Sequence, residues 1–176
     1  MNFALRTGQA GSLRLTGHRL GLQKEFTGKY VAHPTWTVSL PEGEDIQAIV
    51  TRPHEPVASL GKVLGDRTTL YKYLNPNVAV VLTSSLKAPM PTCGVYLVDV
   101  VKGSILYHSI LPATGGSCDV KAAFAENWLV YHYYDHEFGV DQAKSYRVVS
   151  VEFYEGSSID DKTSRCVLPS TLANRR

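Results

Sequence analysis

Residues 69–82 read TLYKYLNPNVAVVL, and residues 120–134 read VKAAFAENWLVYHYY. Each is a short run of strand character, an asparagine-bearing turn, and a second run rich in β-branched or aromatic side chains, which suit a pleated, half-buried surface. Asn77 aligns with Asn127, a shift of 127 minus 77, or 50. After a polar loop each copy closes on an alternating run, GVYLVDVV at 94–101 and YRVVSVEFY at 146–154, where Tyr96 aligns with Arg147 at a shift of 51. A weaker third copy lies upstream in LRLTGHRLG (13–21) and TWTVSLP (35–41). Further strand-type runs stand at 45–51 and 104–111, the second reached through Lys102-Gly103, which reads as a tight hairpin. No stretch carries the 3.6-residue apolar period of an amphipathic helix.

The chain is therefore expected to be all-β and antiparallel. Groups of strands repeating every 40 to 50 residues or so are the signature of β-propeller blades, and a β-sandwich whose strands fall in step is the competing arrangement. The fold expected is a set of four-stranded antiparallel blades of a WD-like β-propeller. A ring closes with about four to eight blades, and at roughly 50 residues each this chain supplies about two and a half to three, so the propeller is incomplete. Residues 17–156 form the partial propeller, 1–16 are left unassigned, and 157–176, without strand pattern, read as a disordered tail.

The 18 basic and 16 acidic side chains of the 176 residues leave a net charge of +2. That balance offers no electrostatic footprint for nucleic acid and no polybasic handle for an anionic membrane. With 44% hydrophobic and 19% charged residues, disorder of the whole chain is excluded. Gly8, Gln9, Gly11 and Ser12 interrupt the N-terminal stretch, which does not read as a signal peptide, and no window of about 18 apolar residues spans a bilayer, so the chain reads as soluble. Cys93, Cys118 and Cys166 are too few and too scattered for a zinc ribbon, and unpaired or buried thiols are expected ahead of a Cys93 to Cys118 bridge. No Asn-x-Ser/Thr acceptor occurs.

His132, Asp135, His136 and Glu137 form the densest group of ligand-type residues. Histidines four apart on a strand stand about 13 Å from one another, too far to share a metal ion, so the group reads as a solvated strand end. Ser104, Ser117 and Ser150 sit in no nucleophile elbow, and Gly115-Gly116 lacks the lysine of a phosphate loop. Tyr71, Tyr73, Trp128, Tyr131, Tyr133 and Tyr134, interleaved with Arg67, Lys72 and Arg147, have the composition of a stacking platform for single-stranded nucleic acid, but aromatic residues in strands are more often core. No catalytic, cofactor-binding or metal residue is assigned, and no enzyme is expected.

The string KVLGDRTTLYKYLNPN at 62–77 resembles a signature of the family of endoplasmic reticulum (ER) membrane protein complex subunit 1. ENWLVY at 126–131, the alternating strand ending in EFYEG at 152–156, and WTVSLP at 36–41 stand in that family's order. The resemblance, covering about residues 17–165, implies part of a lumenal WD-like propeller and a non-catalytic scaffold in a complex that inserts tail anchors and first helices of multipass proteins into the ER membrane. The implied partners are other subunits of that complex and client membrane proteins, and the implied location is its lumenal side. The structural signature comprises Gly65, Asp66, Arg67, Tyr71, Lys72, Tyr73, Asn75, Pro76, Asn77, Asn127 and Trp128. Asn75-Pro76-Asn77 suits a β-turn, and Asp66 and Arg67 are expected to tie a blade junction. Unlike the family, the sequence has neither a signal sequence nor a transmembrane helix, and it reads as a truncated portion. The alternative function is a stand-alone β-rich module that binds peptides at a sheet edge.

Overall fold

The computed structural model describes residues 2–7, 14–22, 28–41, 43–85, 90–113, 117–135 and 145–156. Every regular element among them is a strand, paired antiparallel in small open sheets, which agrees with the all-β reading of the alternating runs. Among the described residues no helix is long and apolar enough to cross a membrane. The chain divides into two compact units, Met1–Ile49 with Asn77–Ser117, and Val50–Pro76 with Cys118–Arg176.

In the first unit, β1 (Asn2–Thr7), β2 (Arg14–Leu22) and β3 (Tyr30–Ser39) form a three-stranded sheet. β1 and the start of β2 fall in the segment 1–16 left unassigned. Pro34 is tolerated inside β3 because that strand is an edge and the register slips between Gly17 and His18, opposite Pro34. Gly17 is obligatory for a different reason: the Trp36 indole lies over it, and a Cβ there would stand 2.0 Å from Trp36 Cε2.

β4 (Asp45–Thr51), β7 (Val78–Ser85), β8 (Thr92–Asp99) and β9 (Ile105–Pro112) make a four-stranded sheet in the order β4-β7-β8-β9. Val81, Tyr96 and Val98 on one face pack with Leu15, Ile46, Trp36, Val38 and Leu40. Each aliphatic side chain buried in this way stabilises by about 1.5–3 kcal/mol. The opposite face of β7 and β8 is also buried, which is why 78–82 reads as a continuous apolar run and does not alternate. Lys102-Gly103 sits in a five-residue connection and not a two-residue hairpin: Asp99 Oδ1 accepts the Val101 and Lys102 amides at 2.8 and 3.1 Å, and Gly103 takes φ 73°. Cys93 and Cys118 are both disulfide-bonded, so the expectation of unpaired thiols fails for these two.

In the second unit, β10 (Lys121–Ala125), β11 (Trp128–Asp135) and β12 (Ser145–Glu152) pair in sequence order, with Phe124, Leu129, Tyr131, Val151 and Phe153 buried. β5 (Gly61–Val63) and β6 (Thr69–Tyr71) form a separate two-stranded hairpin. Beyond β6, Lys72 bridges Tyr154, the Tyr73 amide donates to Phe153 O at 3.0 Å, and the Glu155 amide donates to Tyr71 O at 2.8 Å. The run at 69–74 thereby lies beside the end of β12, and its expected place next to β7 is taken by β4. The turns explain the difference. Glu126-Asn127 is a two-residue connection with Glu126 at φ 49°, in the left-handed region that tight hairpins use, whereas Pro76 is held near φ −65° and cannot enter it.

Candidate functional site

Signature residues from two distant stretches meet in the second unit. Lys72 Nζ donates to Glu126 Oε2 at 2.5 Å, and Glu126 Oε1 accepts the Ala58 amide at 3.4 Å. The Lys72 bond, then the Ala58 amide, hold the Glu126 carboxyl below its ordinary pKa. The β10–β11 turn places Glu126 there, and the Leu60 carbonyl fixes Lys72 by accepting its amide at 3.0 Å. Next in sequence, Asn127 is fully buried. Its backbone carbonyl accepts the Phe153 amide and its side-chain Nδ2 donates to Phe153 O, both at 2.9 Å, so one residue closes the pairing of β11 with the end of β12. Tyr154 donates its hydroxyl to Glu152, and burial first, then that carboxylate, push the phenol up to about 12.

Asn75 Nδ2 donates to Tyr73 Oη at 3.1 Å, and Arg52 Nη1 donates to Leu74 O at 3.0 Å, which braces the approach to Pro76. In the first unit Asn77 O accepts the Val100 amide at 2.8 Å, as Asn127 O accepts that of Phe153, so the repeat holds at the level of a single hydrogen bond. Tyr71 and Trp128 are exposed. Gly65, Asp66 and Arg67 form the β5–β6 loop. Asp66 Oδ1 accepts Thr68 N at 3.0 Å and Thr68 Oγ1 at 2.7 Å, bonds that lower its pKa, and Arg67 takes φ 69°. These partners of Asp66 lie within its own loop.

The His132 and Asp135 side chains diverge. His132 stands edge-on to Tyr146, with ring centroids 6.0 Å apart, and Asp135, buried, accepts Arg147 Nε at 2.8 Å. His136 and Glu137 lie outside the described residues, among which no three His, Cys, Asp or Glu side chains are placed to hold a metal ion. Of the cations that alternate with the aromatic residues, Lys72 and Arg147 are committed to ion pairs, and Tyr131 is buried core.

Sequence reasoning missed the Lys72 to Glu126 pair and, in the first unit, a buried carboxylate. Glu44 is buried and accepts Tyr96 Oη at 3.1 and 2.9 Å on its two oxygens, while the Tyr96 ring stacks on His108 at 4.2 Å. A polar residue directly before the 45–51 strand gave no signal of burial. Burial and the Glu44 carboxylate raise the Tyr96 phenol well above its ordinary value. All of these groups hold strands together, and their arrangement suits a rigid frame.

The sequence matches the family described as ER membrane protein complex subunit 1, second β-propeller, over residues 1–175. The chain belongs to this family. The subunit 1 protein of Schizosaccharomyces pombe is 41% identical over 128 residues, which are 72% of this chain and 14% of that protein. That of Xenopus laevis is 36% identical over 146 residues, 78% of this chain and 14% of that protein. That of Gallus gallus is 34% identical over 170 residues, 90% of this chain and 16% of that protein. The chain thus spans about one seventh of the length of these curated relatives. In this subunit 1 family the propeller assignment agrees with the open antiparallel sheets, and the match takes in both 1–16 and most of 157–176.

Proposed function

We propose that the chain is a non-catalytic scaffold segment of the ER membrane protein complex, on its lumenal side, serving a machine that inserts tail anchors and first helices of multipass proteins into the ER membrane. Its partners in this reading are the other subunits, with client membrane proteins passing nearby. The signature residues from Gly65 to Asn77, with Asn127 and Trp128, keep the blades in register for those partners. The observation that carries the reading is membership of the subunit 1 propeller family. Two features of the fold support it. Cys93 and Cys118 are disulfide-bonded, a state that persists in an oxidising compartment such as the ER lumen. The buried polar side chains, Asn127 and Glu44 above all, are engaged by backbone or by a phenol in bracing roles.

A glycan reports the compartment. Asp66→Asn creates an Asn-Arg-Thr acceptor in the exposed β5–β6 loop, and the amide retains an oxygen for the Thr68 bonds. In a full-length subunit carrying this segment, the variant is expected to gain one endoglycosidase-sensitive glycan and still co-purify the other subunits. An unmodified variant made in cells would count against the lumenal side, and an isolated subunit without partners would count against the scaffold.

A further inference from the structure

The net charge of +2 offers no handle for a membrane, but its distribution does. Strands β1, β2 and β3 contain Arg6, Arg14 and Arg19, with Lys29 adjoining, and no acidic residue. With these four set aside, 18 less four leaves 14 basic against 16 acidic side chains in the rest of the chain. The same sheet ends in a ribbon. β1 pairs with β2 only as far as Arg19, so among the described residues Leu20, Gly21 and Leu22 are held by β3 alone. Every residue from Gly28 to Thr35 is exposed, on both faces of the strand. A two-stranded ribbon by itself in water is marginally stable, which suits a segment that is completed by something outside the chain.

The register sorts the side chains of this ribbon. Leu20 opposite Ala32 and Leu22 opposite Tyr30 make one face apolar up to the tip, where Leu22 and Tyr30 are 61% and 67% exposed. On the other face Arg19 stands opposite His33, and Gly21 leaves room for the imidazole, since a Cβ there would meet His33 Cδ2 at 3.3 Å. Arg19 is three residues from Leu22, or about 10 Å along a strand. We infer that the end of the β2–β3 ribbon is a membrane-contact element, which dips Leu22 and Tyr30 into a bilayer surface and sets Arg19 and Lys29 against anionic phospholipid headgroups. The dimensions fit. Apolar groups of interfacial elements bury about 5–10 Å into the boundary between headgroups and acyl chains, tyrosine is at home there, and cations at headgroup level add attraction to an anionic leaflet. The stem of Lys29, next to Tyr30, is long enough to keep its ammonium among the headgroups. A protein is the poorer occupant, because three apolar side chains at a ribbon end, Leu22, Tyr30 and Val31, fall far short of the roughly 800 Å² per partner of a stable interface. The β5–β6 hairpin also exposes Leu60, Val63 and Tyr71, but its loop sets Asp66 beside Arg67 and has no single sign of charge. The contact stands on the ribbon itself and holds whichever subunits the chain binds.

Flotation of the purified 176-residue chain with lipid vesicles tests it. With vesicles of phosphatidylcholine and phosphatidylserine the chain is expected to rise with the lipid, and omitting the phosphatidylserine or raising the salt should cut the bound fraction several-fold. Tyr30→Ser and Arg19→Glu are each expected to cut it several-fold with melting midpoints close to the parent, whereas Val63→Ser, on the β5–β6 hairpin, leaves it unchanged. No flotation, binding indifferent to lipid charge, or an equal loss with Val63→Ser overturns the inference. A photo-cross-linking residue at Tyr30 of a full-length subunit carrying this segment, in native membranes, is expected to attach to phospholipid. Attachment to a polypeptide, or no lipid adduct, overturns it as well.

Discussion

Glu44 and Tyr96 show how much a single hydroxyl can carry. A carboxylate taken out of water needs a donor, and Tyr96 Oη reaches both of its oxygens. Tyr96→Phe removes the donor and leaves the acid in place. Leaving a buried polar group unsatisfied costs about 1–3 kcal/mol, more for a charge, and urea denaturation of the variant is expected to show a loss of that order. Adding Glu44→Gln to Tyr96→Phe replaces the charge with a neutral amide, and a good part of the loss should return. If Tyr96→Phe alone melts like the parent, the pair is incidental to stability. Asn127 differs in legibility: its place in the repeat marks it in the sequence, whereas Glu44 stands just before the alternating run of β4 and gives no sign.

At the scale of elements, most strands were readable because one face is wet and the other dry, and the 45–51 run is β4 to the residue. Three features were not. β5 is three residues long, too short for alternation to register. The 69–74 run was assigned to β7 because it precedes it, and only the fixed φ of Pro76 tells that the chain must leave one sheet for another. The sequence shift is 51 where the register, with Tyr96 on Val81 and Val149 on Tyr131, makes it 149 minus 96, or 53, because an even displacement keeps every side chain on its own face and the numbers of residues between the paired strands, 86–91 and 136–144, differ by three. Pairing between elements was equally hidden, since Lys72 and Glu126 stand 54 residues apart. That pair links the segment after β6 to the β10–β11 turn, and its sign with pH is fixed. Because Glu126 titrates below its ordinary value of 4.5, its contribution is present above that pH and is lost as pH falls through the depressed value. Lys72→Met is therefore expected to melt below the parent at pH 7, with the gap closing as the pH falls below 4.5 and through the depressed value. A gap that stays constant to pH 3 would assign the effect to lost packing of the lysine stem.

For the whole molecule, a near-neutral charge and several small sheets make the cross-link at Cys93 and Cys118 matter more than composition suggested. Spacing alone favours free thiols, because three cysteines in 176 residues are no disulfide scaffold. A native disulfide acts chiefly by restricting the unfolded chain, and losing one typically costs about 2–5 kcal/mol. In a chain of this size that is a drop in melting midpoint of roughly 5–20 °C. Reduction with a phosphine before calorimetry is expected to produce such a drop, and Cys93→Ser without reductant should reproduce it. Alkylation of the denatured, unreduced protein, read by peptide mass, should leave both Cys93 and Cys118 unlabelled. Labelling of both would remove the cross-link, and with it the argument from the fold that this propeller is made for an oxidising compartment.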